Sequence, residues 1–319
     1  MIGSADGRGR KQASLRHLLL LLSAAVPALA LERFEAVEPA MGTLFRIVVH
    51  AESAILARQG FDAAFARARA LDQQLSDYRA DSELNRLCRS GRAQVSKDLF
   101  EVLRIAIDIA SSSGGAFDPT LGSFTHLWRE SRQTGRLPSP EILAEARRRT
   151  GWRRVKLDAR TRTVHLLATG MQLDLGGIAK GFAADEMLAV LRQLALPQAL
   201  VAASGDIALG DAPPGLRGWS VEVAGRSRIL ANRGVSTSGP QEQFAMIGGR
   251  RYAHIVDPHN GIGLTNAETV GVIANTATLA DALATAGFVL DGAQARRLAR
   301  RWKAVCLRGP ATMEVEQTK

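Results

Sequence analysis

Residues 173–185 read LDLGGIAKGFAAD. The stretch ends an alternating apolar run at Asp174, turns through Gly176 and Gly177, and starts a helix near Ile178 with Lys180 close to its beginning. Backbone N–H groups free at a helix start, glycines that admit a ligand and a nearby cation are what a phosphate group needs. A Gly-Gly turn of this kind serves equally as a plain connection. It is neither a Walker-type phosphate loop nor a GxGxxG fingerprint.

On either side, strands and helices come in blocks. LFRIVVH (44–50) predicts a strand, and Phe61, Phe65, Ala68, Leu71 and Leu75 then recur at helical spacing. Leu99, Val102, Leu103, Ala106 and Ile109 mark a second helix over 98–110. VKLDA, TVHLL and MQLDL, between 153 and 175, predict a meander feeding the helix near Ile178. Downstream, QALVAA, IALG, WSVEVA, RILANRGVSTS and YAHIVDP predict a second group of strands. TVGVIA then precedes a helix from about Thr278 to Leu290. Residues 131–140 read as the main exposed loop. Blocks instead of strict alternation predict an α+β fold of two intimately packed subdomains, not a doubly wound parallel sheet.

The chain has 319 residues and 46% hydrophobic content, enough to bury a sizeable core. Arg8, Arg10, Lys11 and Arg16 precede an apolar block over 18–30 that ends Ala28-Leu29-Ala30, the pattern of a cleaved secretory signal. The block is shorter than the roughly 20 residues of a membrane span and contains Pro27. Residues 1–30 are therefore expected to be removed, leaving 31–319 as a periplasmic or otherwise extracytoplasmic domain without a stable membrane anchor. The formal charge of +10 belongs partly to that leader. Clusters such as Arg147-Arg148-Arg149 read as solvated helix faces, and with no recognition motif beside them no nucleic-acid partner is expected. Two cysteines, Cys88 and Cys306, exclude a cysteine cluster for metal and allow at most one disulfide.

Three further groups can carry chemistry. Asp281 and Thr285 stand four apart in TLADALATAGFVL, a spacing that stacks two oxygen-bearing side chains on one helix face. Such a pair can ligate a hard cation such as magnesium, or Asp281 can bond locally while Thr285 returns a bond to its own helix. In the hydroxyl-rich stretch 235–261, His254 can act as a general base or be a packed strand residue, and Asp257 lies three residues on. Tyr78 can stack on a flat ring or line the core rim, and Gly115-Ala116-Phe117-Asp118-Pro119 completes the set.

In chain order, MGT (41–43), SDYRADSEL (76–84), GAFDPT (115–120), DLGGIAKGFAAD (174–185), STSG (236–239), HIVDPHNG (254–261) and ADALATA (280–286) resemble the FAD:protein FMN transferase family, often called the ApbE family. The resemblance runs over residues 36–308 and implies a two-part α+β fold with FAD in the cleft between the parts. By motif it implies that Met41 contacts FAD, that Tyr78 packs on the flavin, and that Ala116, Phe117 and Asp118 line the nucleotide site. Asp174, Lys180 and Val256 would also face FAD. Gly177, through its carbonyl, together with Asp281 and Thr285, would hold magnesium, and His254 would deprotonate the acceptor hydroxyl. Two departures stand out: Ala284 replaces a carboxylate that some members carry beside the metal-binding threonine, and PQEQF follows STSG where many have an acidic-aromatic pair.

The expected activity is magnesium-dependent transfer of FMN from FAD to a threonine or serine of a client flavoprotein, with release of AMP. The expected clients are flavin-carrying subunits of membrane or periplasmic redox complexes. Two alternatives share the site: a pyrophosphatase that splits FAD into FMN and AMP, and a flavin-binding protein without chemistry.

Overall fold

Phe45, Ile47, Val48 and Val49 are all buried, although neighbouring residues of a strand point to opposite faces. This run is therefore covered on both sides, and it lies in the second strand of a seven-stranded sheet. The computed structural model describes residues 30–239, 244–266 and 268–310; the expected signal segment lies outside them except for Ala30.

In chain order, β1 (Glu32–Ala40), β2 (Thr43–Ala51), α1 (Ala54–Leu75), α2 (Glu83–Ser90), β3 (Arg92–Gln94), α3 (Lys97–Ser112), α4 (Gly122–Thr134) and α5 (Pro140–Arg148) come first. Next are β4 (Val155–Asp158), β5 (Thr163–Leu166), α6 (Ala179–Gln193), β6 (Ala199–Ala203), β7 (Asp206–Leu209), β8 (Trp219–Val223), β9 (Arg226–Leu230) and β10 (Arg233–Ser238). Then follow β11 (Phe244–Ile247), β12 (Arg250–Ala253), β13 (Glu268–Ala274), α7 (Ala277–Val289), α8 (Gly292–Arg301) and β14 (Val305–Pro310). The large sheet has the order β1-β2-β6-β7-β10-β13-β14, and every neighbouring pair in it is antiparallel. An order β3-β5-β4 forms a small sheet, and β8–β9 and β11–β12 are separate hairpins.

The two faces of the large sheet are packed differently. Ile47, Val49 and Val201 join the main core with residues of α1, α6 and α7. Val48, Leu209 and Val235 point the other way and meet Trp219, Val221 and Val223 of the β8 hairpin strand. A third cluster places Phe124 and Trp128 of α4 against Tyr252 and Val256. The mixed helices and strands give the α+β class that was expected. No described helix is long and apolar enough to cross a membrane.

Local expectations need four corrections. MQLDL (171–175) is not a strand, because its backbone bonds locally and to the 119–122 segment, with Gly122 N–H donating to Gln172 O and Asp174 N–H to Pro119 O. RILANRGVSTS divides into two strands at Asn232, whose positive φ of 54° turns the chain. YAHIVDP leaves the β12 ladder after Ala253, and Val256 makes only an isolated bridge to Gly263. Residues 131–140 are mostly helical ends: α4 runs to Thr134 and is capped by Gly135, and α5 starts at Pro140 after the Ser139 cap.

Candidate functional site

The helix start read from LDLGGIAKGFAAD docks on α7. Asp185 of α6 accepts from the N–H groups of Ala277 and Thr278 and from the Thr278 hydroxyl, at 2.9, 2.8 and 2.6 Å. It therefore caps the neighbouring helix. In return, the Gly181 N–H donates to Asp281 Oδ2 at 3.1 Å. Gly181 permits this approach because a Cβ there would lie 2.3 Å from the Ala277 carbonyl oxygen. The expectation of free N–H groups at the α6 start is corrected in part: Ala179 N–H already bonds to Leu175 O, and that of Gly181 to Asp281.

This docking brings the three expected metal-binding residues to one place. A Cβ on Gly177 would meet Thr285 Oγ1 at 2.8 Å and Phe117 Cε2 at 3.3 Å, so Gly177 is packed directly on Thr285. Asp281, one turn earlier on α7, is 2% exposed. Burial, together with the nearby Asp206 carboxylate, pushes its carboxyl up to about 7.

Asp206, at the start of β7, was not singled out from the sequence. It is 3% exposed and accepts the Ser236 hydroxyl at 2.6 Å. Lys180 Nζ lies 3.0 Å from Asp206 Oδ2 and 3.7 Å from Asp281 Oδ2, and it donates to Gly176 O at 3.0 Å. One ammonium thus stands between two buried carboxylates. Ser236 belongs to the STSG block, and the apolar neighbours in ASGDIALG disguised Asp206 as an ordinary strand residue.

A second charged group surrounds Asp174. Its Oδ1 accepts the Gly176 N–H at 2.7 Å, shaping the turn, and burial and then the charge of Asp77 raise its carboxyl above the usual range. Arg129 of α4 lies between them, 2.6 Å from Asp77 Oδ2 and 3.1 Å from Asp174 Oδ2. Burial would push the Asp77 carboxyl up, but His126 and Arg129 outweigh it and hold it low. The Arg129 guanidinium carbon lies 4.0 Å from the centroid of the Tyr78 ring, and Tyr78 is 76% exposed. Asp77 lay inside the quoted SDYRADSEL block without being singled out, and Arg129 carried no signal in sequence, since it looks like a surface charge.

The other expected residues occupy neighbouring elements. Ala116 and Phe117 are buried. Asp118 accepts from Thr120 N–H, the Thr120 hydroxyl and Trp152 N–H, so its carboxylate holds the 117–120 loop against residue 152. Met41 lies in the two-residue turn of the β1–β2 hairpin at φ 49°, beside a recess of about 570 Å³ lined by residues 39–44. Val256 is buried against α4, while His254, partly buried, sits just past β12. Asp257 is occupied within its own turn, accepting from His259 N–H and the Asn260 amide.

Among the described residues no group of three or more His, Cys, Asp or Glu could hold a metal. The oxygens at hand are instead the Asp281 carboxylate and the Thr285 hydroxyl one turn on, with Gly177 packed against Thr285; a carboxylate and a hydroxyl, joined by the Gly177 carbonyl that the resemblance implies, suit a hard dication retaining waters. A buried carboxylate held at about 7 is also one whose ionised form gains from an added positive charge. These residues fit magnesium.

The ApbE family model matches residues 41–307. A Treponema pallidum protein named FAD:protein FMN transferase is 35% identical over 300 residues, covering 84% of this chain and 82% of that protein. One of the same name from Salmonella typhimurium is 28% identical, covering 82% and 79%. The crystal structure of the ApbE protein from Thermotoga maritima superposes with a TM-score of 0.76 at 29% identity, covering 87% of this chain and 94% of the other. The flavin transferase ApbE from Vibrio cholerae gives 0.75 at 26%, covering 89% and 95%. With the family model spanning most of the chain and a relative above 30% identity along most of its length, this chain belongs to the ApbE family.

Proposed function

We propose that this protein is a FAD:protein FMN transferase, which moves the FMN half of FAD, in a magnesium-dependent reaction, onto a threonine or serine hydroxyl of an extracytoplasmic flavoprotein and releases AMP. Support comes from the shared name of the curated relatives and above all from one observation. Gly177, distant in sequence from Asp281 and Thr285, is packed on Thr285 where α6 docks on α7, with Lys180 beside Asp281.

Asp281, Thr285 and the Gly177 carbonyl would hold the metal. When bound, magnesium supplies neutralisation of charge on the bridging pyrophosphate. Tyr78 would offer its exposed ring to the flavin, and the Lys180 ammonium would meet phosphate oxygens. His254 takes the proton of the acceptor hydroxyl as its oxygen bonds to the FMN-side phosphorus. The P–O bond to AMP then breaks, and AMP leaves. The expected location is the periplasm after loss of residues 1–30, and the expected clients are flavin-carrying subunits of membrane or periplasmic redox complexes.

The test is to incubate the purified protein with FAD, magnesium and a threonine-bearing client fragment and to weigh the fragment. An adduct of one FMN per fragment with stoichiometric AMP is expected. Free FMN and AMP without adduct would mean hydrolysis, and unchanged FAD would mean a binding protein.

A further inference from the structure

We propose that Arg129 is a positioning residue for the flavin, acting by holding the Tyr78 ring as a fixed shelf; this rests on the flavin-transfer function proposed above. Arg129 projects from α4 toward two loops, one following α1 and the other leading into α6. Its two terminal nitrogens meet Asp77 and Asp174, carboxylates whose side chains are only 7% and 12% exposed. With both edges engaged, the flat guanidinium faces the Tyr78 ring at 4.0 Å. A planar fork can serve two carboxylates and an aromatic face at once, whereas a point-like ammonium cannot.

The backbone under Tyr78 is held as well. Asn85 donates to Asp77 O at 3.0 Å and to Arg79 O at 2.9 Å, on either side of the tyrosine. An exposed aromatic side chain normally samples several rotamers, and a ligand that stacks on it must stop that motion. Here the cation contact limits the motion before any ligand arrives. The same guanidinium ties the Tyr78 loop to the Asp174 turn, which leads directly to Gly177 and Lys180. The shelf for the ring and the end that receives phosphate are thereby set at a fixed spacing, which is what transfer at a defined phosphorus requires.

The experiment is a double-mutant cycle on FAD binding with the full chain, using Arg129→Lys, Tyr78→Ala and the two combined. Arg129→Lys keeps the charge between Asp77 and Asp174 and removes the planar contact. It is expected to fold with a near-normal melting temperature and to weaken FAD binding by about threefold to tenfold. KM for FAD should rise while kcat changes little, and the absorbance change of FAD on binding should shrink. In the Tyr78→Ala background the same substitution should add less than about twofold. Wild-type affinity in Arg129→Lys, or an equal loss with and without Tyr78, overturns the proposal. Should the lysine variant not fold, Arg129→Gln combined with Asp77→Asn removes one charge of each sign and is read the same way. A wild-type protein that binds no FAD removes the flavin function and this proposal together, whereas tight wild-type binding with an unaffected variant removes this proposal alone.

Discussion

Gly181 of α6 donates its backbone N–H to the carboxylate of Asp281 on α7, and the two helices approach so closely there that a side chain has no room. Gly181→Ala should therefore force the helices apart, destabilising the protein by about 1–3 kcal/mol, the usual range for overpacking. Chemical denaturation measures this. An alanine variant as stable as wild type would show that α7 can yield without loss.

Asp281→Asn keeps the shape of the side chain and removes its charge. Because that carboxylate is buried beside Asp206, the fold is expected to survive with equal or higher thermal stability in the absence of metal. Magnesium-dependent flavinylation should be lost, since the set would then have no anionic ligand from α7. Client flavinylation titrated against magnesium is the measurement, and a wild-type magnesium curve would make Asp281 purely structural.

His254→Ala is expected to bind FAD nearly as wild type and to slow transfer about a hundredfold or more, the range for loss of a general base. Single-turnover rates with a client fragment decide this. An unchanged rate would pass the proton to another group or to solvent.

Met41 sits at φ 49°, a left-handed conformation that side chains other than Gly and Asn adopt at a cost of about 1 kcal/mol. Met41→Asn should raise the melting temperature of the metal-free protein slightly and weaken FAD binding. Stability gained without loss of affinity would place the flavin nucleotide away from this turn.

Away from the site, Arg67 donates to both oxygens of Asp98 at 2.7 Å and also to Glu186. The hydrogen bond from Arg67 holds the Asp98 carboxyl below its ordinary value of 3.8. A lowered carboxylate contributes stability that is present above the unfolded value and lost as pH falls through the folded one. Asp98→Asn should thus lower stability by about 1–3 kcal/mol at neutral pH, and the difference from wild type should shrink below about pH 4. A difference that does not vary with pH would mean packing, not charge.

Much of the architecture was legible because the burial pattern follows the period of each element. The apolar positions of α1, α3, α6 and α7 recur at helical spacing and are buried, and β2 and β13 are covered on both faces and so read as apolar runs. β1 escaped notice because Glu32, Arg33, Glu35 and Glu38 line an edge strand that faces water. α4 carries few apolar residues, since only one side of it packs. In the site, the resemblance of the motif blocks to the family pointed to Asp174, Gly177, Lys180, Asp281 and Thr285. Asp206 and Arg129 could not be found this way, because their meaning comes from partners on other elements. Asp185 lay inside a quoted block, yet its capping of α7 is visible only once the two helices are side by side.

The order of strands in the large sheet sets a timetable for assembly. β1 can pair with β2 at once, but β2 waits for β6, and the far edge is built from β13 and β14 at residues 268–310. Pairings so distant along the chain are slow to form, because each closes a long loop before it gains a contact. Asp281 reaches Gly181 only after α7 has docked between β13 and α6. A ribosome-bound chain therefore has the glycine turn without its carboxylate, and the contact between Gly181 and Asp281 arises late, when the last third of the molecule closes.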